Sequence, residues 1–315
     1  MSRSAIVLGA GGFLGRAVLA ALAAEPRVDR LTAHFHHVRH PDDAAARTES
    51  CTLDLVTAPV TSIADLLDRC DATVVVNCVG AISEPYERLR TLNIDVVAKI
   101  ADALKGRDDV HLIHLGSAAE YGPQPANRAI GERARAFPTT DYGITKLQGT
   151  RRAIGAAAEA GPTVTVLRVF NPLGRDSAPT TLPGRAARAV VDAHRGGHQH
   201  VCLGNLGSWR DFIDARDVGG AVAAAALFEG RGGQILNVGR GEAVLTRDLV
   251  KRLAAIIGFT GQIVETDDGS TRSSSVAWQR ADITTTTSRL GWVPRYSIDD
   301  SLHDLWSGAC AGVHT

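Results

Sequence analysis

Several features that are common in other protein classes are missing from this 315-residue sequence. No apolar run reaches the roughly 20 residues that a membrane-spanning helix needs, and the N-terminal MSRSAIVLGAGG lacks the pattern of a secretory signal. Lysine plus arginine and aspartate plus glutamate each number 34, so the formal net charge is zero. Such a chain has no electrostatic basis for binding nucleic acid or an anionic membrane surface. We therefore expect a cytoplasmic protein that binds neither nucleic acid nor membranes.

The five cysteines are scattered along the chain, and no two of them form a CxxC pair. Structural zinc sites commonly use such pairs, so we expect free thiols in a reducing compartment and no bound metal. Hydrophobic residues make up 44% of the chain and charged residues 22%, as in ordinary globular proteins. The length allows either one large domain or two smaller ones.

Short apolar segments alternate with amphipathic ones through the first half of the sequence. SAIVLGA, ATVVVNCVG, VHLIHLGS and TVTVLRVFN are largely apolar throughout, which is typical of parallel strands covered by helices on both faces. FLGRAVLAALAAE and NIDVVAKIADALKG have helical periodicity. The alternation predicts an α/β fold, a doubly wound parallel Rossmann sheet that binds ligands at the carboxyl ends of its strands.

The pattern loosens after Asn171, where proline, glycine and threonine interrupt the segment NPLGRDSAPTTLPGR. We expect residues 1–170 to form the dinucleotide-binding domain, with a return segment at about 211–240. Residues 171–210 and 241–315 are expected to form a smaller mixed α/β lobe that binds the substrate. The sequence contains no internal repeats.

A glycine-rich turn, GAGGFLG, places Gly9, Gly12 and Gly15 between the first predicted strand and the first predicted helix. Glycines in this context permit a tight turn, close approach of backbone amides to a pyrophosphate, and packing of helix on strand. The pattern predicts dinucleotide binding, with a plain packing turn as the alternative. Arg16 in the first helical turn opposes the helix dipole unless an anion lies nearby. The alternative is a solvated arginine that points away.

The segment YGITK places Tyr142 and Lys146 one helical turn apart on the same face. A nearby ammonium group favours the phenolate, so it lowers the pKa of the tyrosine from about 10 toward a working acid–base range. Ser117 follows a buried strand, and its hydroxyl could bond a substrate oxygen while Tyr142 transfers a proton. A chance tyrosine–lysine pair on an amphipathic helix is the alternative.

The segment LTAHFHHVRH, residues 31–40, contains no acid where an NAD site offers Asp or Glu to the adenosine ribose. An NADP site omits that charge and supplies cations to the 2′-phosphate. His36 and Arg39, with Arg16, are candidates for this role, so the segment predicts NADP(H) preference, with NAD(H) also possible. Largely neutral histidines bind phosphate less well than arginines. The alternatives are solvated loop histidines and a metal site, which lacks an acidic or cysteine partner at ligand spacing.

These motifs together resemble the extended short-chain dehydrogenases/reductases of the nucleotide-sugar epimerase/dehydratase family. The resemblance spans nearly the whole chain and includes GAGGFLG, LDL, NCVGAI, LNIDVVAKI, GSAAEYG, YGITK, LRVFNPLG, WRDFIDARDV and LGWVPRYSIDDSL. It implies that Lys146 holds the nicotinamide ribose and that Tyr142 exchanges a proton with a sugar hydroxyl or carbonyl. It also implies a supporting role for Asn93, although bonding of helix to strand explains that residue equally well. Ala118 and Ala119 replace the acidic residues that family dehydratases carry after the serine, which disfavours dehydration.

The candidate contacts follow from these motifs and from the resemblance. For catalysis they are Ser117, Tyr142, Lys146 and Asn93. For the cofactor they are Gly9, Gly12, Phe13, Leu14, Gly15, Arg16, His36, Arg39, Asp54, Leu55, Cys78, Val79, Gly80, Tyr142, Lys146 and Phe170. For the substrate they are Ser117, Ala118, Ala119, Tyr142, Asn171, Arg210 and Arg280. The resemblance implies that Arg210 and Arg280 bind a diphosphate, for which planar guanidinium groups are suited. Ion pairs with the neighbouring Asp211 and Asp282 are the alternative.

We therefore expect an enzyme, an NADP(H)-preferring oxidoreductase that reduces the 4-keto group of a nucleoside-diphosphate-4-keto-6-deoxysugar in deoxysugar biosynthesis. One alternative is a nucleotide-sugar 4-epimerase with tightly bound NAD, and another is a non-catalytic member of the family that binds the cofactor. The expected partners are a nucleoside-diphosphate sugar, dTDP-linked, and a second copy of the chain. By resemblance, the homodimer would form through the helices that include Asn93 and Tyr142.

Overall fold

The computed structural model describes residues 3–37, 48–157, 161–266 and 276–311. Within these ranges the central sheet contains seven strands: β1 (Arg3–Leu8), β2 (Val28–Phe35), β3 (Thr48–Thr52), β4 (Val74–Asn77), β5 (His111–Ser117), β6 (Thr163–Val169) and β11 (Gly233–Val238). All neighbours pair in parallel, in the order β11-β6-β5-β4-β1-β2-β3. The predicted doubly wound parallel sheet is confirmed. Its strand order reverses between β1 and β4, which is where such sheets bind ligands.

Helices cover both faces of this sheet. One face carries α1 (Phe13–Ala23) and α7 (Ala215–Ala226), and the other carries α2 (Val60–Arg69), α4 (Val96–Ala103) and α5 (Asp141–Gly155). Alternate residues of one strand enter opposite cores: Val74 and Val76 pack toward α1 and α7, and Val75 packs toward α2, α4 and α5. This two-sided burial explains why the central strands are apolar throughout.

The second lobe has a hydrophobic core of its own, which includes Leu173, Val190, Leu253 and Leu302. Its helices are α6 (Leu182–Arg195), α8 (Thr246–Ile257) and α10 (Ile298–Ala311). Three short strand pairs accompany them: β7 (Pro172–Leu173) with β10 (Ile213–Asp214), β8 (His200–Leu203) with β13 (Gln262–Glu265), and β9 (Trp209–Arg210) with β12 (Val244–Leu245). Of the helices in the described ranges, none combines the length and apolarity needed to cross a membrane.

Two segments differ from the boundaries that the sequence suggests. Helix α9 (Thr284–Leu290) contacts β11, and Trp292 packs into the core under α1 and α7, so this part of the presumed lobe lies on the sheet domain. The indole N–H of Trp292 also donates to the backbone oxygen of Asp217 at 3.1 Å. The second difference is the approach to α4, where α3 (Tyr86–Arg90) continues through a π-helical turn over Thr91–Asp95.

Candidate active site

A cleft of about 780 Å³ opens between the sheet domain and the second lobe. The sheet domain lines it with residues that follow β1, β4 and β5, which is the edge where ligands of doubly wound sheets bind. From the expected cofactor contacts the lining includes Gly12, Phe13, Leu14, Cys78, Val79, Gly80, Tyr142 and Lys146. From the expected substrate contacts it includes Ser117, Ala118, Ala119, Tyr142, Asn171 and Arg210.

All four candidate catalytic residues line this one cleft: Ser117, Tyr142, Lys146 and Asn93. Tyr142 and Lys146 come from α5, whose N-terminus is capped by the Thr140 side chain through the Gly143 N–H at 3.2 Å. The Lys146 ammonium is buried and donates to the backbone oxygen of Leu115 at 2.6 Å. Burial lowers the pKa of Lys146, and the negative charge of Glu120 opposes that shift. Lys146 is therefore attached to the strand that carries Ser117.

Asn93 holds the loop that follows β4. Its side-chain oxygen accepts from the Ala81 N–H at 2.9 Å, and its side-chain nitrogen donates to the Ala81 carbonyl at 3.0 Å and to the Thr145 hydroxyl at 3.1 Å. A Cβ at Gly149 would lie 2.1 Å from the Asn93 carbonyl oxygen, so α5 passes very close to the π-helical turn. We therefore describe Asn93 as a positioning residue that joins the loop to α5.

The glycine turn has the geometry that a dinucleotide requires. Gly9 has φ +79°, a conformation that favours glycine, and a Cβ at Gly15 would lie 2.1 Å from the Gly9 carbonyl oxygen. The backbone at this turn is therefore compact, so that its N–H groups can approach a pyrophosphate at the start of α1. The residues present fit a dinucleotide cofactor.

His34, which the sequence did not mark as a contact, secures this turn from β2. Its Nδ1 accepts from the Gly9 N–H at 3.5 Å, and its Nε2–H donates to the Leu53 carbonyl at 2.8 Å. Burial lowers the pKa of His34, so the ring stays neutral and can serve as both acceptor and donor. The first histidine of the segment LTAHFHHVRH is thus a structural residue, and only tertiary contacts could reveal that.

The residues expected near the adenosine end lie beside carboxylates. His36 Nδ1 is 3.4 Å from an Asp54 oxygen, and the Arg16 guanidinium bonds Asp176 of the lobe at 2.9 Å and the Gly11 carbonyl at 2.6 Å. The side chains of all four charged or titratable residues are partly exposed. Arg39 lies outside the described residues. As expected, β2 ends without an acid, at Phe35.

The cleft lining lacks Phe170, Leu55 and Arg280, among other expected contacts. Phe170 is fully buried beside Tyr121, with ring centroids 6.2 Å apart, and Leu55 packs into the core under α2 and α4. Arg280 lies over the Trp278 ring, 5.8 Å from its centroid, and the neighbouring Gln279 lines the cleft instead. Phe170 and Leu55 are therefore core residues, whereas Gln279 is an additional candidate substrate contact and the role of Arg280 stays a prediction.

The cleft lining is positively charged. Among the described residues that line it, Lys146, Arg185 and Arg210 are cationic, and none is aspartate or glutamate. Sequence reasoning missed Arg185, although its position in the first turn of α6 carries the same signal as Arg16 in α1. Arg210 is buried and donates to the carbonyls of Trp209 and Val276 at 2.8 and 2.6 Å, and burial lowers its pKa to about 10.

In the described part of the chain, three or more histidine, cysteine, aspartate or glutamate side chains nowhere group in a way that could hold an ion. The His36 and His37 rings are tilted to each other with centroids 4.0 Å apart, and Asp54 lies beside His36.

Comparison with known proteins places this geometry in a family. The sequence model of the NAD dependent epimerase/dehydratase family matches residues 5–239. The dTDP-6-deoxy-L-talose 4-dehydrogenase (NAD(P)(+)) of Kitasatospora kifunensis is 30% identical over 305 residues, covering 96% of this chain and 94% of its own length. The dTDP-L-rhamnose 4-epimerase of Burkholderia thailandensis is 24% identical over 351 residues, covering 95% and 93%.

A solved structure shares the fold over its whole length. MoeE5, solved in complex with UDP-glucose and NAD, superposes with a TM-score of 0.83 at 23% identity and covers 98% of this chain and 99% of its own. The resemblance inferred from the sequence motifs is confirmed by the family model and by the 30% identical relative. The chain belongs to the NAD-dependent epimerase/dehydratase family.

Proposed function

We propose that this protein is an NADPH-preferring oxidoreductase that reduces the 4-keto group of a nucleoside-diphosphate-4-keto-6-deoxysugar. The observation that carries the proposal is that Ser117, Tyr142 and Lys146 line one cleft, which the glycine turn bounds on one side and the lobe on the other. A dinucleotide on the turn and a sugar nucleotide against the lobe would meet at these three side chains. The 30% identical relative, named as a 4-dehydrogenase of a dTDP-6-deoxysugar, supports redox chemistry at C4.

Each of the three side chains has a distinct role in this reaction. A bound dihydronicotinamide would supply the hydride to the carbonyl carbon. Ser117 donates a hydrogen bond to the carbonyl oxygen, and Tyr142 transfers its hydroxyl proton to the same oxygen as negative charge develops there. The Lys146 ammonium stabilises the resulting tyrosinate, which then regains a proton from solvent.

The charge and polarity of the lining support the substrate class. Arg185 and Arg210 offer guanidinium groups to a diphosphate in a chain whose net charge is zero. The lining next to Ser117 and Asn93 includes Ala81, Ala118 and Ala119. Such an apolar wall suits a 6-methyl group, whereas a 6-carboxylate placed against these alanines would lose solvation.

The preference for NADPH rests on the end of β2. An acid at that position would repel a 2′-phosphate, and the structure has Phe35 there. We expect a higher kcat/KM with NADPH than with NADH, and we expect Arg16→Ala to narrow that difference. Arg27→Ala, an exposed arginine that forms an ion pair with Glu25, is the matched control and should change neither value. A higher kcat/KM with NADH would contradict the preference.

The reaction is tested with nucleoside-diphosphate-4-keto-6-deoxyglucose and NADPH, with sugar products identified by mass spectrometry and NMR. Tyr142→Phe should lower kcat at least about 100-fold, because the proton donor is lost, while cofactor affinity stays within about twofold. A Tyr142→Phe enzyme with near-wild-type turnover would refute the assignment.

A 4-epimerase is the second candidate, because one relative that covers nearly the whole chain is named as one. An epimerase recycles its cofactor, so it would purify with bound NAD and interconvert two sugar nucleotides without added reductant. The absorbance spectrum of the purified protein and a turnover assay without NADPH distinguish the two activities.

A further inference from the structure

Glu120 is a fully buried carboxylate directly beneath the candidate active site. One of its oxygens accepts from the Ser117 N–H at 2.8 Å and the Thr150 hydroxyl at 2.9 Å, and the other accepts from Arg168 Nε at 2.8 Å. A buried charge is tolerated only when it is paired and hydrogen-bonded in this way. Nothing in the catalytic roles assigned above uses Glu120.

The three donors belong to three different elements. Ser117 ends β5, Arg168 lies on β6, and Thr150 lies on α5 one turn beyond Lys146 and two turns beyond Tyr142. Tyr142, Lys146 and Thr150 therefore form one stripe of α5. The Glu120 carboxylate connects the strand end that presents Ser117 to the helix that presents Tyr142 and Lys146.

Arg168 is itself held in place, so the network is rigid. Its guanidinium lies over the Tyr121 ring, 4.5 Å from the centroid, and the Tyr121 hydroxyl donates to Asn237 on β11 at 2.7 Å. A Cβ at Gly116 would lie 2.7 Å from a Glu120 oxygen, so glycine at this position makes room for the carboxylate. The packing and the charge of this network therefore both depend on the carboxylate at position 120.

We propose that Glu120 is a positioning residue that sets the location of Ser117 relative to Tyr142 and Lys146. Its negative charge also balances the positive charges of Lys146 and Arg168. The role of Ser117, Tyr142 and Lys146 in this statement rests on the proposed function. Glu120 touches neither the cleft nor a substrate in this arrangement, because it is absent from the cleft lining.

The other titratable groups that face Lys146 are neutral near pH 7 or lie in the same network. Burial raises the pKa of the Cys78 thiol at the end of β4 to about 12, and burial with the Lys146 charge lowers the pKa of His114 on β5 well below its usual range. Tyr142 lies on the same helix, and Arg168 stays charged beside Glu120. Replacing Glu120 by a neutral residue therefore leaves a net positive potential here, which lowers the pKa of Lys146 and of Tyr142.

The test compares Glu120→Gln, Glu120→Asp and Thr150→Val with the matched control Asp217→Asn. Asp217 is also buried and accepts backbone N–H groups, of Arg295 and Tyr296 at 2.9 and 3.1 Å, but it lies on α7, outside the cleft lining. Glu120→Gln should lower kcat about 10- to 100-fold, while KM for NADPH stays within about twofold of the wild-type value. The alkaline limb of the pH–kcat profile should shift to lower pH by about one unit. Asp217→Asn should lower thermal stability and leave kcat and the limb unchanged.

Glu120→Asp keeps the charge but shortens the side chain, so kcat should fall while the alkaline limb stays in place. Thr150→Val removes one donor and no charge, and it should also lower kcat without moving the limb. If Glu120→Gln fails to fold, Glu120→Asp and Thr150→Val test the proposal in its place. A wild-type kcat in both of these variants would overturn the proposal. An equal shift of the limb in Asp217→Asn and Glu120→Gln would also overturn it.

A second readout needs no substrate and so separates this proposal from the proposed function. The ionisation of Tyr142 is followed by tyrosinate absorbance as the difference between each protein and its Tyr142→Phe counterpart. The midpoint should fall by about one pH unit in Glu120→Gln and stay unchanged in Glu120→Asp and Asp217→Asn. If the wild type reduces no sugar nucleotide, the proposed function fails and the midpoint still tests Glu120. A midpoint unchanged in folded Glu120→Gln overturns the proposal.

Discussion

The loop after β4 should depend on the Asn93 side chain for its position. Asn93→Ala removes three hydrogen bonds of 2.9, 3.0 and 3.1 Å that join Ala81 and Thr145 to the π-helical turn. A buried hydrogen bond contributes about 1 kcal/mol net, so the three together should contribute about 3 kcal/mol to the free energy of unfolding. The two backbone groups of Ala81 that lose their partner add to that loss.

The measurement is urea unfolding followed by the fluorescence of the four tryptophans, with kcat and KM measured on the same preparations. Gln148→Ala, an exposed amide on α5, is the control and should change the free energy of unfolding by less than about 0.5 kcal/mol. Asn93→Asp keeps the acceptor for the Ala81 N–H but loses both amide donors, so it should be at least as destabilising as Asn93→Ala.

The kcat and KM of Asn93→Ala distinguish a positioning role of Asn93 from a direct catalytic role. Because Gly80 and Ala81 line the cleft, release of the loop should raise KM for the cofactor together with a fall in kcat of about tenfold. A loss of stability below about 1 kcal/mol in Asn93→Ala would refute the reasoning, since these three hydrogen bonds cannot then be holding the loop.

Three further predictions follow from other contacts. Burial lowers the pKa of His111 to about 4, so the unfolded chain takes up a proton below about pH 6.5 that the folded chain excludes. The free energy of unfolding should therefore fall as the pH drops from 6.5 to 4, by up to about 3 kcal/mol from this group. His111→Gln should flatten that slope, and an unchanged slope would contradict the assignment. Arg185→Ala should raise KM for the sugar nucleotide about tenfold with little loss of thermal stability, whereas Arg188→Ala, exposed on the same helix, should leave KM unchanged; equal effects would exclude Arg185 as a phosphate ligand. Light scattering after gel filtration should give twice the mass of one chain, as expected for a homodimer through the helices that include Asn93 and Tyr142, and the mass of a single chain would contradict this.

Features that depend on residues close in sequence were predictable. Gly9, Gly12 and Gly15 lie on one turn, and Tyr142 and Lys146 lie one helical turn apart, so their spacing alone indicates their placement. The two-sided apolar strands indicated a parallel sheet, because burial on both faces leaves no position for polar side chains.

Features that depend on distant residues were not predictable. Asp176 is 160 positions from Arg16, and Asn237 is 116 positions from Tyr121. The sequence also contains no reason to prefer Gln279 over Arg280 as a cleft residue. Which of these two neighbours faces the cleft depends on how the loop after residue 275 returns to the sheet domain. The π-helical turn at Asn93 lies against Gly149, which is again a tertiary contact.

The segment LTAHFHHVRH shows where the two sources of information divide. By itself the sequence determined that no acid ends β2, because that is a matter of composition at a position counted from the glycine turn. The tertiary structure decided that His34 is a neutral support of Gly9 and that His36 lies beside Asp54. A local pattern specifies which elements form, whereas the partner of each polar side chain is chosen only when those elements pack together.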